Sequence, residues 1–454
     1  GCAAAVASRA PEPVWQPVIN AAKRKERTEL DLQGWQKYGF ATTRAHEFES
    51  LANRGDEPPD ALPRLQSREL TVDTFWERFE KPGLPCVIAG IPEDEGWPAW
   101  GKWTVDRLLQ RFAAVPFKVG KSDDGSPIRL RCDHFEQYMR SQADDSPLYM
   151  FDNKFGSGDV REQLLHEYRV PRFFPDDYMA LSGEDGRPPY RWIAVGPKRS
   201  GTVMHQDPLN TSAWNTLLSG RKRWVLLRPD TPKHIAKAKH VMKEGDDDEA
   251  VNVFLDLLPR LREQGVKMAE FVQYPGETIF LPGGWWHCVI NIDDTVAVTQ
   301  NYAGRHNFPF IWRSARTERP CWSQRWMKAM GVKIPELAEQ ARRMNEEDKF
   351  EMDVLLRKNV ERRVLRRKRR EGRALRKAKR RARSSFNEEA WRQKRLDEAS
   401  SASDSNSTVS TSSSSQASSS VQESSDETSS DEEAAPAAAG AAAAGEGSAP
   451  GARE

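Results

Sequence analysis

The stretch Gly201-Thr-Val-Met-His205-Gln-Asp207-Pro decides the fold of this chain, together with Pro282-Gly-Gly-Trp-Trp-His287 farther on. A His-x-Asp pair can serve one metal ion only if both side chains point the same way, and residues i and i+2 of a β-strand do so. A second imidazole stands 82 positions after the first and completes a set of two histidines and one carboxylate. Such a set holds one face of an octahedral Fe(II) and leaves the other positions open for substrate and O2. His205, Asp207 and His287 are therefore the candidate metal ligands and catalytic centre, and they require an architecture that brings two distant strands together.

The surrounding sequence supplies one. Strand-like runs follow each other over 190–195, 202–207, 212–218, 222–227, 270–274, 278–281, 287–292 and 295–301, split by Pro and Gly. Eight short strands with turn signals predict a β-sandwich or barrel. The stretch 230–265 interrupts them as a helical or loop insertion. Upstream, 71–79 reads as a short capped helix, 85–89 as a buried strand, 103–112 and 133–141 as helices, and 146–151 as a strand. The expected organisation is an N-terminal extension over 1–66, with a charged helix at 18–31 and a loop over 40–66; an α/β part of the catalytic body over 67–189; the β-core over 190–303; helical support over 304–347; a basic helix over 348–398; and a tail over 399–454. That tail is Ser-rich, then acidic, then Ala/Gly-rich, and such a composition cannot offset its ordering entropy, so disorder is expected there.

Hydrophobic residues make up 38% of the 454, and the deficit falls almost wholly after residue 340, so the first three quarters can bury a proper core. The formal charge of +2 hides a split: residues 357–383 carry 16 Lys/Arg against Glu361 and Glu371, a local +14 that leaves −12 for the rest. A strongly basic segment on a mildly acidic body points to nucleic-acid contact or nuclear import. The five cysteines, Cys2, Cys86, Cys132, Cys288 and Cys321, show no zinc-like spacing, which favours free thiols in a reducing compartment. No run of about 18 apolar residues is present, and no membrane partner is expected.

A lone His is more often a structural residue than a ligand, and His-x-Asp alone is a weak signal. The metal reading gains its weight from the strand position of the pair, from Gly283-Gly284 before the second His, and from a barrel that can hold both. Zinc with an open position is the competing metal, but hydrolysis asks for a carboxylate base beside it, and none stands close in sequence. Lys222 shares a strand face with Trp224 and Leu226. A cation on an inward apolar face needs an anionic partner, such as the distal carboxylate of 2-oxoglutarate. Period-2 alternation leaves open whether Lys222 faces in or faces solvent with Arg221 and Arg223. Thr202, Asn215, Tyr149 and Thr299 are candidate neutral groups around the same acid.

The runs 202–215, Gly220-Arg-Lys222-Arg-Trp224, 275–287 and Thr299-Gln-Asn301, with Ser146-Pro-Leu-Tyr149 and Arg187-Pro-Pro-Tyr-Arg-Trp192, closely resemble the Jumonji-C (JmjC) 2-oxoglutarate oxygenases. Within that family the chain looks most like the nuclear lysyl-5-hydroxylase subgroup, also described as arginine demethylases and once mislabelled phosphatidylserine receptors. The resemblance covers roughly residues 65–330. It implies a mainly β fold with flanking helices, a double-stranded β-helix or cupin-like jelly roll. It implies Fe(II) on His205, Asp207 and His287, with 2-oxoglutarate and O2 as cosubstrates. It also implies 2-oxoglutarate held by Lys222, with help from Thr299, Asn215, Thr202 and Tyr149.

The activity this implies is hydroxylation of lysyl side chains in nuclear Arg/Ser-rich, RNA-processing or histone proteins, with N-methyl-arginine demethylation second. The expected partners are Lys/Arg-rich substrate segments and RNA at residues 357–383, a homo-oligomer being left open, and the expected location is the nucleus. A reading from another class is a nuclear RNA- or chromatin-binding scaffold with a vestigial barrel. The intact ligand set with Lys222 argues against a dead barrel, and succinate release would separate the two readings.

Overall fold

The computed structural model describes residues 13–55, 62–184 and 186–352. The basic segment 357–383 and the tail 399–454 lie outside the described residues. Thirteen strands are present among the described residues: β1 (Arg64–Gln66), β2 (Cys86–Ala89), β3 (Pro116–Lys121), β4 (Pro127–Arg131), β5 (Met150–Asp152), β6 (Arg191–Gly196), β7 (Gly201–His205), β8 (Ser212–Ser219), β9 (Lys222–Leu227), β10 (Ala269–Gln273), β11 (Glu277–Leu281), β12 (Trp286–Asn291) and β13 (Thr295–Tyr302). A seven-stranded sheet runs β1-β2-β11-β8-β13-β6-β5 and a four-stranded sheet runs β10-β9-β12-β7; β3 and β4 form a separate hairpin. β1 and β2 pair in parallel, and the other pairs are antiparallel.

The two sheets face each other. Val87, Ala213, Ile279 and Leu281 of the large sheet share one buried cluster with Trp224, Leu226, Phe271 and Val289 of the small one. The chain is thus a double-stranded β-helix, as expected. All eight core strands stand where hydrophobic runs predicted them, within a residue or two at each end.

Both outer faces are covered, so these strands read as continuous apolar runs rather than alternating ones. Outside the large sheet, Phe280 lies 5.1 Å from Phe75 and 5.9 Å from Phe174. Truncating such a residue to Ala costs about 3–5 kcal/mol. Outside the small sheet, Val225, Leu227, Cys288 and Ile290 pack on the insertion helices through Val251, Phe254, Leu257 and Leu261. A third cluster joins the C-terminal helices Phe308–Glu318, Pro320–Lys333 and Pro335–Glu347 around Trp312 and Trp326.

One local reading is corrected, and one element went unread. The loop expected over 40–66 contains the helix Ala45–Asn53, whose Phe48, Leu51 and Ala52 are buried against the insertion. Its apolar positions fall three and four apart, a helical face hidden among charges. The β3–β4 hairpin has Phe117, Val119, Ile128 and Leu130 buried in alternation, a period-2 signal that short flanking turns and many Lys/Arg obscured. In contrast, the capped helix at 71–79 forms as read: the Thr71 hydroxyl accepts the Thr74 N–H at 3.0 Å.

Arg223, which one reading turned to solvent, is fully buried. Its Nε lies 2.5 Å from Glu270 Oε1, and its other nitrogens donate to the carbonyls of Arg54 and Gly55 at 2.6 and 2.7 Å. The insertion and the N-terminal segment together leave it no solvent to face, so a counter-ion from β10 takes that place.

Candidate metal centre and cosubstrate pocket

β7 ends at His205, and Asp207 lies just beyond it with extended backbone (φ −63°, ψ 144°). The i, i+2 orientation therefore survives one step past the strand. Leu209 and Asn210 then take left-handed conformations (φ 60° and 57°) and turn the chain into β8. The 282–284 turn passes directly against that corner: a Cβ on Gly283 would sit 2.2 Å from the Asn210 carbonyl oxygen. Only glycine allows this approach. Gln206 Nε2 donates to the Gly284 carbonyl at 2.6 Å, tying the two ligand-bearing loops together. Trp285 and Trp286 anchor the start of β12 through their indole N–H groups, on Gly83 and Thr231 carbonyls at 3.0 and 3.1 Å.

His287 then faces His205 across the β7–β12 ladder. His205 Nε2 is 3.9 Å and His287 Nε2 4.0 Å from Asp207 Oδ1, and all three donor atoms lie within 4.8 Å of one another. Each Nδ1 donates to a backbone carbonyl, His205 to Val203 at 2.7 Å and His287 to Trp285 at 3.2 Å. The proton is thereby held on Nδ1, and Nε2 turns its lone pair toward the shared space. Burial, reinforced by His205, holds His287 well below the usual imidazole range, so it stays a neutral donor. Burial pushes the Asp207 carboxyl up, opposed by His205 and by a hydrogen bond from Asn301. Two imidazoles and one carboxylate around one small gap fit a divalent ion.

The three donors open on a cavity of about 250 Å3, and all five further residues expected there, Tyr149, Thr202, Asn215, Lys222 and Thr299, line it. Lys222 faces inward and is 1% exposed. Its ammonium donates to Asn291 Oδ1 at 2.6 Å, Tyr149 Oη at 2.9 Å and Thr295 Oγ1 at 3.2 Å. All three partners are neutral, and burial pushes Lys222 down to about 7. An anion arriving here would restore the charge. Among the described residues Asn215 Oδ1 is buried without a hydrogen-bond partner. Thr299 Oγ1 donates to the Trp214 carbonyl at 2.8 Å. Phe151 and Trp192 stack at 5.7 Å and form an aromatic wall of the same cavity.

Asn291 and Thr295 were missed by the sequence reading. The signal exists only in the register, where Asn291 stands opposite Lys222. Asn301 was read only as part of a motif; it stands in β13 opposite Ala213 of β8 and lines the same cavity as Asp207. Among the residues lining the cavity Asp207 is the only acid, so the hydrolytic zinc reading finds no carboxylate base.

A jelly roll with two histidines and a carboxylate at one end of a cavity, and one buried ammonium farther in, defines a metal-dependent oxygenase. Residues 192–302 match the family model of the JmjC domain, a hydroxylase. The chain is 38% identical over 341 residues to the bifunctional arginine demethylase and lysyl-hydroxylase psr-1 of Caenorhabditis elegans, covering 74% of this chain and 82% of that protein. It is 35% identical to the arginine-specific demethylase JMJ22 of Arabidopsis thaliana over 53% of this chain and 46% of that one. It is also 25% identical to the 2-oxoglutarate and iron-dependent oxygenase JMJD4 of Gallus gallus, over 56% of this chain and 62% of that one. The chain belongs to the JmjC family and is a 2-oxoglutarate- and iron-dependent oxygenase.

Proposed function

We propose that this oxygenase hydroxylates lysyl side chains in Arg- and Ser-rich nuclear proteins. The observation that carries the reading is the single cavity that joins the metal donors, the buried Lys222 ammonium and the Phe151–Trp192 wall. His205 Nε2, Asp207 and His287 Nε2 would hold Fe(II). Iron, with 2-oxoglutarate as the reductant, supplies activation of O2 and oxidation of a C–H bond. Lys222 binds the distal carboxylate of 2-oxoglutarate, and Tyr149, Thr299, Thr202 and Asn215 fix its orientation from the cavity walls. The aromatic wall suits the methylene chain of a lysyl residue and attracts its ammonium through the ring faces. The apolar lining keeps bulk water from the reacting carbon.

The names of the relatives favour a second reaction on the same site, hydroxylation of an N-methyl carbon on arginine, which then leaves as formaldehyde. Residues 357–383 are proposed to carry nuclear import and RNA contact. Mass spectrometry of Lys/Arg-rich peptides incubated with the protein, Fe(II) and 2-oxoglutarate tests the proposal. One oxygen added to Lys supports it. Formaldehyde release from methyl-Arg with no change at Lys overturns it in favour of the second reaction. Absence of both, with no succinate formed, returns the scaffold reading.

A further inference from the structure

Asn291 is held from several sides. Its N–H donates to the Ser200 carbonyl and its carbonyl accepts the Arg199 N–H, both at 2.8 Å. Its side-chain Nδ2 donates to Ser200 Oγ at 2.8 Å, and Ser200 Oγ in turn donates to the Pro197 carbonyl at 2.6 Å. With its own proton committed to Pro197, the serine hydroxyl can only accept from Asn291. That fixes which way the amide points. Oδ1 must face Lys222, and it does so at 2.6 Å, the shortest of the three contacts to the ammonium. Asn291 is 0% exposed, so water cannot substitute for it.

An aspartate would occupy the same volume and make a closer electrostatic match to a buried lysine. The chain places a neutral amide there instead, and the other two partners are hydroxyls. The ammonium is thus oriented without being neutralised, and the missing negative charge must come from whatever enters the cavity.

We propose that Asn291 is a positioning residue that sets the requirement for a dicarboxylate: its neutral oxygen aims Lys222 into the cavity while leaving the ammonium's charge for the distal carboxylate of the ligand. The inference rests on the reading of Lys222 as the cosubstrate anchor. It predicts an inversion of the usual order of severity. Asn291→Asp, nearly identical in shape, supplies an internal counter-ion that competes with the ligand. Asn291→Ser, a larger change of shape, keeps the site neutral.

The test is calorimetric titration of wild-type, Asn291→Asp and Asn291→Ser proteins, each loaded with Mn(II), with 2-oxoglutarate and with 2-oxobutanoate, which lacks the distal carboxylate. Asn291→Asp is expected to bind 2-oxoglutarate about thirtyfold more weakly, with 2-oxobutanoate within about threefold of wild type. Asn291→Ser is expected to lose about three- to tenfold for 2-oxoglutarate and nothing for 2-oxobutanoate. Taking the ratio of the two ligands cancels any general loss of folded protein. If the aspartate variant does not fold, the serine variant decides alone: equal loss for both ligands, or no loss for either, overturns the inference. It is equally overturned if the serine variant is as impaired as the aspartate one, which is the signature of a merely structural amide. A wild-type protein with no preference for 2-oxoglutarate over 2-oxobutanoate removes the cosubstrate reading itself, a failure visible before any variant is compared.

Discussion

His205 and His287 are direct partners in the β7–β12 ladder, with ring centroids 4.0 Å apart. Two imidazoles so close would repel if both were charged. Their Nδ1 atoms donate to the carbonyls of Val203 and Trp285, which turns both Nε2 atoms toward Asp207, and burial keeps His287 a neutral donor. Asp207 supplies the one negative charge, and the register of two strands far apart in sequence becomes the geometry of a metal site.

Asp207→Ala is expected to abolish turnover while leaving the fold intact, since it removes the only carboxylate among the three donors. Mn(II) affinity should fall with it, and the melting temperature of the metal-free protein should stay near that of wild type. Coupled 2-oxoglutarate decay at the wild-type rate in this variant would refute the assignment of the ligands.

Lys222→Ala should raise the 2-oxoglutarate requirement by roughly ten- to hundredfold, the worth of a buried charge-assisted contact of about 1.5–3 kcal/mol. The iron requirement should change far less, because Lys222 bonds Tyr149, Asn291 and Thr295 and none of the three metal donors. Titration of each in the presence of excess of the other separates the two effects. An unchanged 2-oxoglutarate titration would assign the acid to another cation.

The resting Lys222 also predicts proton uptake. Burial places its ammonium at about 7 in the folded protein, and its neighbour Tyr149 is pushed up, away from the neutral range, by the same burial. At pH 8 most Lys222 is neutral before the ligand arrives, and an incoming carboxylate favours the protonated form. Binding of 2-oxoglutarate to Mn(II)-loaded protein should take up a fraction of a proton at pH 8 and much less at pH 6. Calorimetry in buffers of different ionisation enthalpy measures this directly. The same depressed value makes the unfolded chain bind more protons between about 7 and its ordinary lysine value of about 10.4, so this residue's contribution to stability without ligand improves as pH rises through that window. No difference between buffers at pH 8 would show that the ammonium is already charged.

Why some of this was legible and some not follows from where the information lies. The metal ligands could be read because a pair at i, i+2 and a Gly-Gly corner are local patterns. Lys222 could be named but not oriented, since its strand has six buried residues in a row and no polar face to set the phase. Asn291 and Thr295 were invisible: the first is defined by cross-strand register with Lys222, the second by a contact between the two sheets. The helix Ala45–Asn53 was lost among charges for a related reason: its apolar stripe matters only once the insertion is there to cover it.

Glu270→Ala is expected to destabilise the protein by about 3–5 kcal/mol, the cost of leaving Arg223 buried without its counter-ion. Arg54 Nη2 also reaches Glu270 Oε1, at 2.6 Å, and Arg262 ion-pairs with the other oxygen, so one carboxylate joins the N-terminal segment, β9 and the insertion. Glu270 lies on the outer face of the small sheet, away from the cavity. Denaturant unfolding should therefore show the loss, while the 2-oxoglutarate requirement of the protein that remains folded stays as in wild type. A change in that requirement without loss of stability would contradict the placement.

The basic segment 357–383 should bind RNA through its charge, and the salt dependence is the measurable signature. The comparison is between the full chain and one ending at Met352. An earlier stop would damage the folded body: Asp348 ion-pairs with both Arg313 and Arg316, and Arg316 lies 4.2 Å over the Phe350 ring. With those contacts kept, the shortened chain should retain oxygenase activity on short peptides. If the +14 segment contacts RNA, it would neutralise phosphates and release their counter-ions, and single-stranded RNA should bind the full chain with a steep loss of affinity as salt rises. Ser424, Ser425, Ser429 and Ser430 precede acidic residues, and phosphorylation there would add negative charge that competes with RNA for the basic segment. The phosphorylated chain should then bind RNA more weakly, with a shallower salt slope. Equal affinity and equal slope for the full and shortened chains would leave nuclear import as the one remaining use of those arginines and lysines.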